Sequence, residues 1–162
     1  MLARNGITAR DRLRRMKLDQ TLVDAALELM DRRWPVGEPG GAAAVRLADG
    51  GILTSVGLDN MNGSVALCQE TGAFIQAYTQ DRTVTASVCV CRDPERGRVL
   101  ILPPCGVCQE RLALWGPSVE VAVPREDDPT GWEARTLAEV NPYYWGLQFA
   151  EGKWPSPAQH SE

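Results

Sequence analysis

Cys68 and Glu70 stand two apart in Cys-Gln-Glu, and Cys105 and Cys108 stand three apart in Pro-Cys-Gly-Val-Cys. Thiolates at such spacing bind zinc, and a carboxylate beside them can carry a proton. A Cys-x-x-Cys alone leaves three outcomes open: a redox pair, half of a structural zinc site, or two ordinary cysteines. A structural site would need a fourth Cys or His. The single histidine, His160, falls in the C-terminal tail, where such a residue is more often solvated than ligating. Cys89 and Cys91 lie two apart on a β-branched stretch, share one strand face, and are expected to pack as small buried hydrophobes. Cys68 differs, because it falls at a predicted helix start, as do Cys105 and Cys108. Exposed N–H groups and the helix dipole stabilise thiolates there. Two facing helix N-termini can therefore gather three thiolates around one Zn2+. Three protein ligands leave the fourth tetrahedral position to water, the layout of a catalytic zinc. Glu70 then has a use beyond that of a solvated carboxylate: moving protons.

Several elements must position these groups. Leu18, Leu22, Ala25, Leu29 and Met30 recur at helical spacing and predict an amphipathic helix over about 18–33, stopped by Pro35. Two short apolar runs joined at Asp49-Gly50-Gly51 predict a hairpin, since these residues supply the positive φ of a tight turn. A helix is expected from Cys68 to about Tyr78, a strand over "TVTASVCVCR", and a stretch "RVLILPP" leading to Cys105. A helix over "CQERLALWG", a strand over "SVEVAVP", and a last strand or short helix over "WEARTLAEVNPYYWG" complete the order. Alternating helices and strands argue for an α/β fold, a three-layer α/β/α domain around a mixed sheet of about five strands. The expected organisation is a basic, disordered arm over 1–17, a single domain over 18–150, and a flexible tail over 151–162.

The chain has 162 residues, 44% hydrophobic and 23% charged, with a net charge of −4. That balance disfavours a broad surface for a nucleic-acid polymer or an anionic membrane. No run approaches the roughly 18 apolar residues of a membrane span. The arginines ahead of Met16 are followed by no apolar segment, so they do not form a secretory signal. They fit a disordered tail, a start at Met16, or an organelle transit segment. Five cysteines without a secretory signal suit a reducing cytoplasm and metal binding better than a disulfide framework.

The combination "CQE" followed by "PCGVC" resembles the cytidine deaminase superfamily, whose signature has a Cys₃ variant of the usual zinc ligand set. The spacing is most similar to the small nucleoside deaminases, cytidine deaminase and blasticidin S deaminase. The resemblance runs from about Asp19 to Trp145. It includes "DGGILTSVGLDN", similar to the family's Asp-Gly hairpin and Gly-x-Asn segment, and the ending "LAEVNPYYWG". It implies Zn2+ on Cys68, Cys105 and Cys108, with Glu70 as the acid/base of a hydrolytic deamination. The product would be the uracil form of a cytosine nucleoside, plus ammonia. It also implies a homo-oligomer, a tetramer or else a dimer, in which C-terminal aromatics, here Tyr144 and Trp145, cover a neighbouring pocket. On residue type alone, the aromatic cluster Tyr143, Tyr144 and Trp145 is more often a core or interface plug than a stacking platform.

Two departures from the family pattern stand out. The second cysteine of the pair is commonly followed by Arg-Gln, and here Gln109-Glu110 follows. Zinc with three thiolates carries a formal charge of −1, which Gln109 does not offset unless Arg46, Arg92 or Arg111 reaches the site. The family's ribose-binding asparagine aligns with Asp59, next to Asn60. An aspartate accepts hydroxyl hydrogen bonds and attracts a cationic substituent, so a modified or positively charged cytosine nucleoside such as blasticidin S is as credible a substrate as cytidine. The rival functions are deamination of another base, a non-catalytic zinc-stabilised binding protein, and a redox module.

Overall fold

The computed structural model describes residues 17–151, 153 and 154. The arm ahead of Lys17, the end of the tail and His160 lie outside the described residues.

Helix α1 (Gln20–Arg33) begins where Asp19 can cap it, the carboxylate accepting from the Leu22 N–H at 3.0 Å. Strands β1 (Gly40–Leu47) and β2 (Ile52–Val56) form the expected hairpin, with Gly50 at φ +90° in its turn. Helix α2 (Thr71–Thr79), strand β3 (Val84–Asp93), strand β4 (Arg98–Leu102) and helix α3 (Gly106–Leu112) follow. Strand β5 (Glu120–Pro124), strand β6 (Trp132–Thr136) and the short helix α4 (Leu137–Val140) close the domain.

The sheet runs β2-β1-β3-β5-β6, with β4 also paired to β3. Only the β3–β5 pairing is parallel, so the sheet is mixed as expected. It has six strands. Residues 98–102, expected only to lead into Cys105, form β4 by folding back on Cys89–Asp93. The stretch expected as a last strand or helix contains both β6 and α4.

Two cores confirm the three layers. On one face, Leu22, Val23, Ala26 and Met30 of α1 pack on Ala42, Ala44, Ala86, Val88 and Val90. The alanines leave room for the helix to sit close, and each buried Leu or Met contributes roughly 1.5–3 kcal/mol. On the other face, α2 and α3 bury Ala73, Phe74, Ala77, Cys108 and Leu112 against Val45, Leu47 and Val121. Trp154 belongs to this second core, stacked on Tyr144 with ring centroids 4.5 Å apart. Trp154 falls in the stretch expected as a tail, and it is 9% exposed.

Asp19 does a second task. Its carboxylate lies 2.6 Å from an Nη of Arg46, a residue only 7% exposed. Asp19→Ala removes the cap and leaves a buried guanidinium without its counter-charge. We expect a loss of about 2–4 kcal/mol, measured by urea unfolding; Asp19→Asn, which keeps the cap, should lose less.

Candidate active site

Cys68 and Glu70 lie in the turn just ahead of α2, not in its first turn as the sequence suggests. The turn is fixed from three sides. The Thr71 N–H reaches back to the Cys68 carbonyl at 3.1 Å. Ser55 of β2, nearly buried, donates to the Gln69 carbonyl and accepts from the Ala73 N–H at 2.9 Å. Upstream, Leu58 and Leu67 exchange two backbone hydrogen bonds of 3.1 and 3.0 Å. Gly57 permits that approach, since a Cβ there would meet the Leu67 carbonyl oxygen at 2.8 Å.

On the facing element, Cys105 occupies the N-cap of α3, and its carbonyl accepts from the Gln109 N–H at 2.9 Å. Cys108 follows one turn later and is fully buried. The Sγ atoms of Cys68, Cys105 and Cys108 all lie within 4.8 Å of one another, with Cys68 and Cys105 at 3.5 Å. Zinc–sulfur bonds of about 2.3 Å in a tetrahedron set the sulfurs about 3.8 Å apart. The donor set therefore fits that ion in both type and spread. Among the described residues, these three form the one such group.

The local electrostatics are those of crowded acids. Burial pushes the Cys108 and Cys68 thiols up, and the neighbouring acidic groups, Glu70 among them, add to it. Burial also acts on Cys105, but backbone N–H groups of Cys108 and Val107 with the two neighbouring thiols outweigh it, and its pKa is lowered. Glu70 is 4% exposed. Burial raises its pKa despite the Cys108 thiol and the Arg111 guanidinium, which pull it down. A metal cation beside these groups would shift all four towards their ionised forms.

No family model matches the sequence, and no curated protein matches it. Solved structures do. The structure of the cytidine deaminase from Bacillus anthracis superposes with a TM-score of 0.74 and 41% sequence identity, over 82% of this chain and 92% of that one. The chain belongs to the cytidine deaminase family. The cytidine deaminase from Mycobacterium leprae matches at 26% identity and TM-score 0.58, over 76% of this chain and 96% of that one. At 22% identity, the Mycobacterium tuberculosis enzyme shares the fold, with a TM-score of 0.60 over 81% of this chain and all of that one.

Other residues singled out in this deaminase-family chain divide by location. Asp59 and Asn60 are exposed and sit just beyond the Leu58–Leu67 bridge, whose second strand runs directly into Cys68. Cys89 is buried as expected, on the sheet face below the site, and burial with nearby Glu70 holds its thiol protonated. Gln109 turns away from any sulfur-bonding role and donates to the Pro104 carbonyl at 2.9 Å. Tyr144 is buried in the core of its own chain, at 5% exposure. Its hydroxyl donates to Glu110 at 2.8 Å, and burial followed by that carboxylate pushes its pKa up to about 12. Trp145 donates to the same carboxylate at 2.7 Å but keeps its ring exposed. Ser55 and Glu110 carried no sequence signal, since each acts on partners distant in the chain.

Ser55→Ala leaves the Gln69 carbonyl and the Ala73 N–H without that partner. We expect about 1–3 kcal/mol of destabilisation in thermal or urea unfolding, together with weaker zinc retention against a chelator.

Proposed function

We propose that the protein is a zinc-dependent deaminase of a cytosine nucleoside, releasing ammonia and the uracil form. One observation carries the reading: a buried carboxyl, Glu70, stands beside three converging thiols whose spread suits tetrahedral zinc. When bound by Cys68, Cys105 and Cys108, zinc supplies the Lewis acidity that makes water nucleophilic near neutral pH.

The protein's own residues account for the proton movements. Glu70 accepts a proton from the attacking water and passes it to N3 of the base as the water oxygen bonds to C4. It then carries a second proton to the exocyclic amine. The C4–N bond breaks, ammonia departs, and a carbonyl remains at C4. Burial suits Glu70 to this exchange, because it favours taking up a proton while the metal favours giving it back.

Asp59 and Asn60 are the proposed contacts to the sugar or to a substituent on it. With Asp59 at this position, the proposed substrate is cytidine-like or a cationic cytosine nucleoside such as blasticidin S. Trp145 remains a proposed pocket cover. We also propose a homo-oligomer, a tetramer with a dimer as the alternative. Ile75, Tyr78, Trp145 and Phe149 are exposed apolar side chains that a second copy would bury. No helix among the described residues is long and apolar enough to cross a membrane. The five free cysteines suit a reducing cytoplasm.

The test is ammonia release from cytidine, deoxycytidine, blasticidin S, adenosine and guanine. Release from at least one of the first three is expected, and Glu70→Gln should lower it by at least about 100-fold with zinc content unchanged. Undiminished release in that variant would refute the mechanism. Asp59→Asn should raise KM for blasticidin S more than for cytidine, read as the ratio of the two kcat/KM values. Light scattering of the purified protein distinguishes tetramer, dimer and monomer.

A further inference from the structure

Three thiolates and an ionised Glu70 would place four negative charges together, and a bound Zn2+ would return only two. Such a site, buried at Cys108 and Glu70, is costly unless another cation is held close by. The residue directly after the cysteine pair does not provide one. Gln109 is neutral, and its amide is committed to Pro104.

Three arginines are within consideration, and two are engaged elsewhere. Arg46 pairs with Asp19 and also donates to the Gly50 carbonyl. Arg92 pairs with Asp31 and donates to the carbonyls of Pro35 and Glu38. Arg111 is different. It lies one helical turn after Cys108, so it shares that face of α3. Its Nη1 donates to the Thr71 hydroxyl at 2.8 Å, across to the residue that follows Glu70. Thr71 is 3% exposed. Among the described residues, Arg111 forms no ion pair with a carboxylate.

Arg111 is thus a partly buried guanidinium, tied to a neutral hydroxyl and set between the two elements that carry the thiols. We infer that Arg111 is the counter-charge and brace of the metal site: it offsets the excess negative charge of the zinc–thiolate centre and links the Cys68–Glu70 turn to α3 through Thr71. Arg111 is a positioning residue in this assignment, since it acts through Glu70 and the thiolates and not on substrate. The inference rests on the zinc reading above, and it adds to that reading the residue that makes the charge tolerable.

The two tasks separate experimentally. Zinc affinity of the full chain is measured by competition with a chromophoric chelator, and unfolding is followed for the zinc-loaded and zinc-free forms. Arg111→Met should weaken zinc about 10- to 100-fold, the usual effect of losing a supporting partner of a metal site. The zinc-free form should unfold nearly as the parent does, whereas a merely structural brace would weaken both forms equally. Arg111→Lys should recover most of the affinity, and so should Gln109→Arg in the Arg111→Met background, which returns a cation from the adjacent turn. In a Glu70→Gln background the penalty of Arg111→Met should shrink, because one of the charges it offsets is gone.

Zinc affinity unchanged in Arg111→Met, with the parent binding zinc, overturns this assignment alone. So does an equal loss of stability in the zinc-loaded and zinc-free forms. A parent chain that binds no zinc overturns both the assignment and the deaminase mechanism.

Discussion

Bringing four acidic groups together is the constraint on which this domain turns. A thiolate or carboxylate alone is stable in water, and no free polypeptide would hold four of them within a few ångströms. The sheet makes it possible by giving α2 and α3 a common floor, on which their leading ends face one another. Phe74 and Ala73 of α2 and Leu112 of α3 are packed into one core with Val45 and Val121. Packing of that density fixes the helix ends, so hydrophobic burial holds the acidic groups in place.

The opposite layer serves the same end less directly. Helix α1 touches none of the reacting groups, yet it seals the far face of β1 and β3. Asp19 couples its first turn to Arg46 on β1, so the helix and the strand are aligned by one ion pair as well as by apolar contact. With both faces covered, the central strands cannot flex under the site. Cys68, Cys105 and Cys108 themselves lie in turns and short helical segments, where backbone N–H groups remain free to face the sulfurs.

Much of this was legible in the residues, and for identifiable reasons. Cys68, Cys105 and Cys108 are brought together as their spacing implies, because thiols have few uses at helix starts other than metal or redox chemistry. The Asp49-Gly50-Gly51 turn was legible because its φ requirement is local. What escaped depends on partners far along the chain. Residues 98–102 become a strand through pairing with β3, and only Ile101 of them is buried, so no alternating pattern announces it. Arg46, Arg92 and Arg111 are equivalent as letters. Their separation into roles depends on Asp19 and Asp31, 27 and 61 residues away from the first two, and on Thr71, 40 residues away from the third. Trp154 resembles a tail residue until the Tyr144 ring is known to need a neighbour.

The Leu58–Leu67 bridge has a consequence for how such a domain can diversify. It ties off a loop whose two ends are pinned while its interior, from Asp59 to Ala66, is mostly exposed. Substitutions, insertions or deletions inside that loop leave Cys68 in place, since the bridge lies between them. The eight residues of that loop are therefore mechanically insulated from the turn that carries Cys68 and Glu70, and can be rewritten without disturbing it.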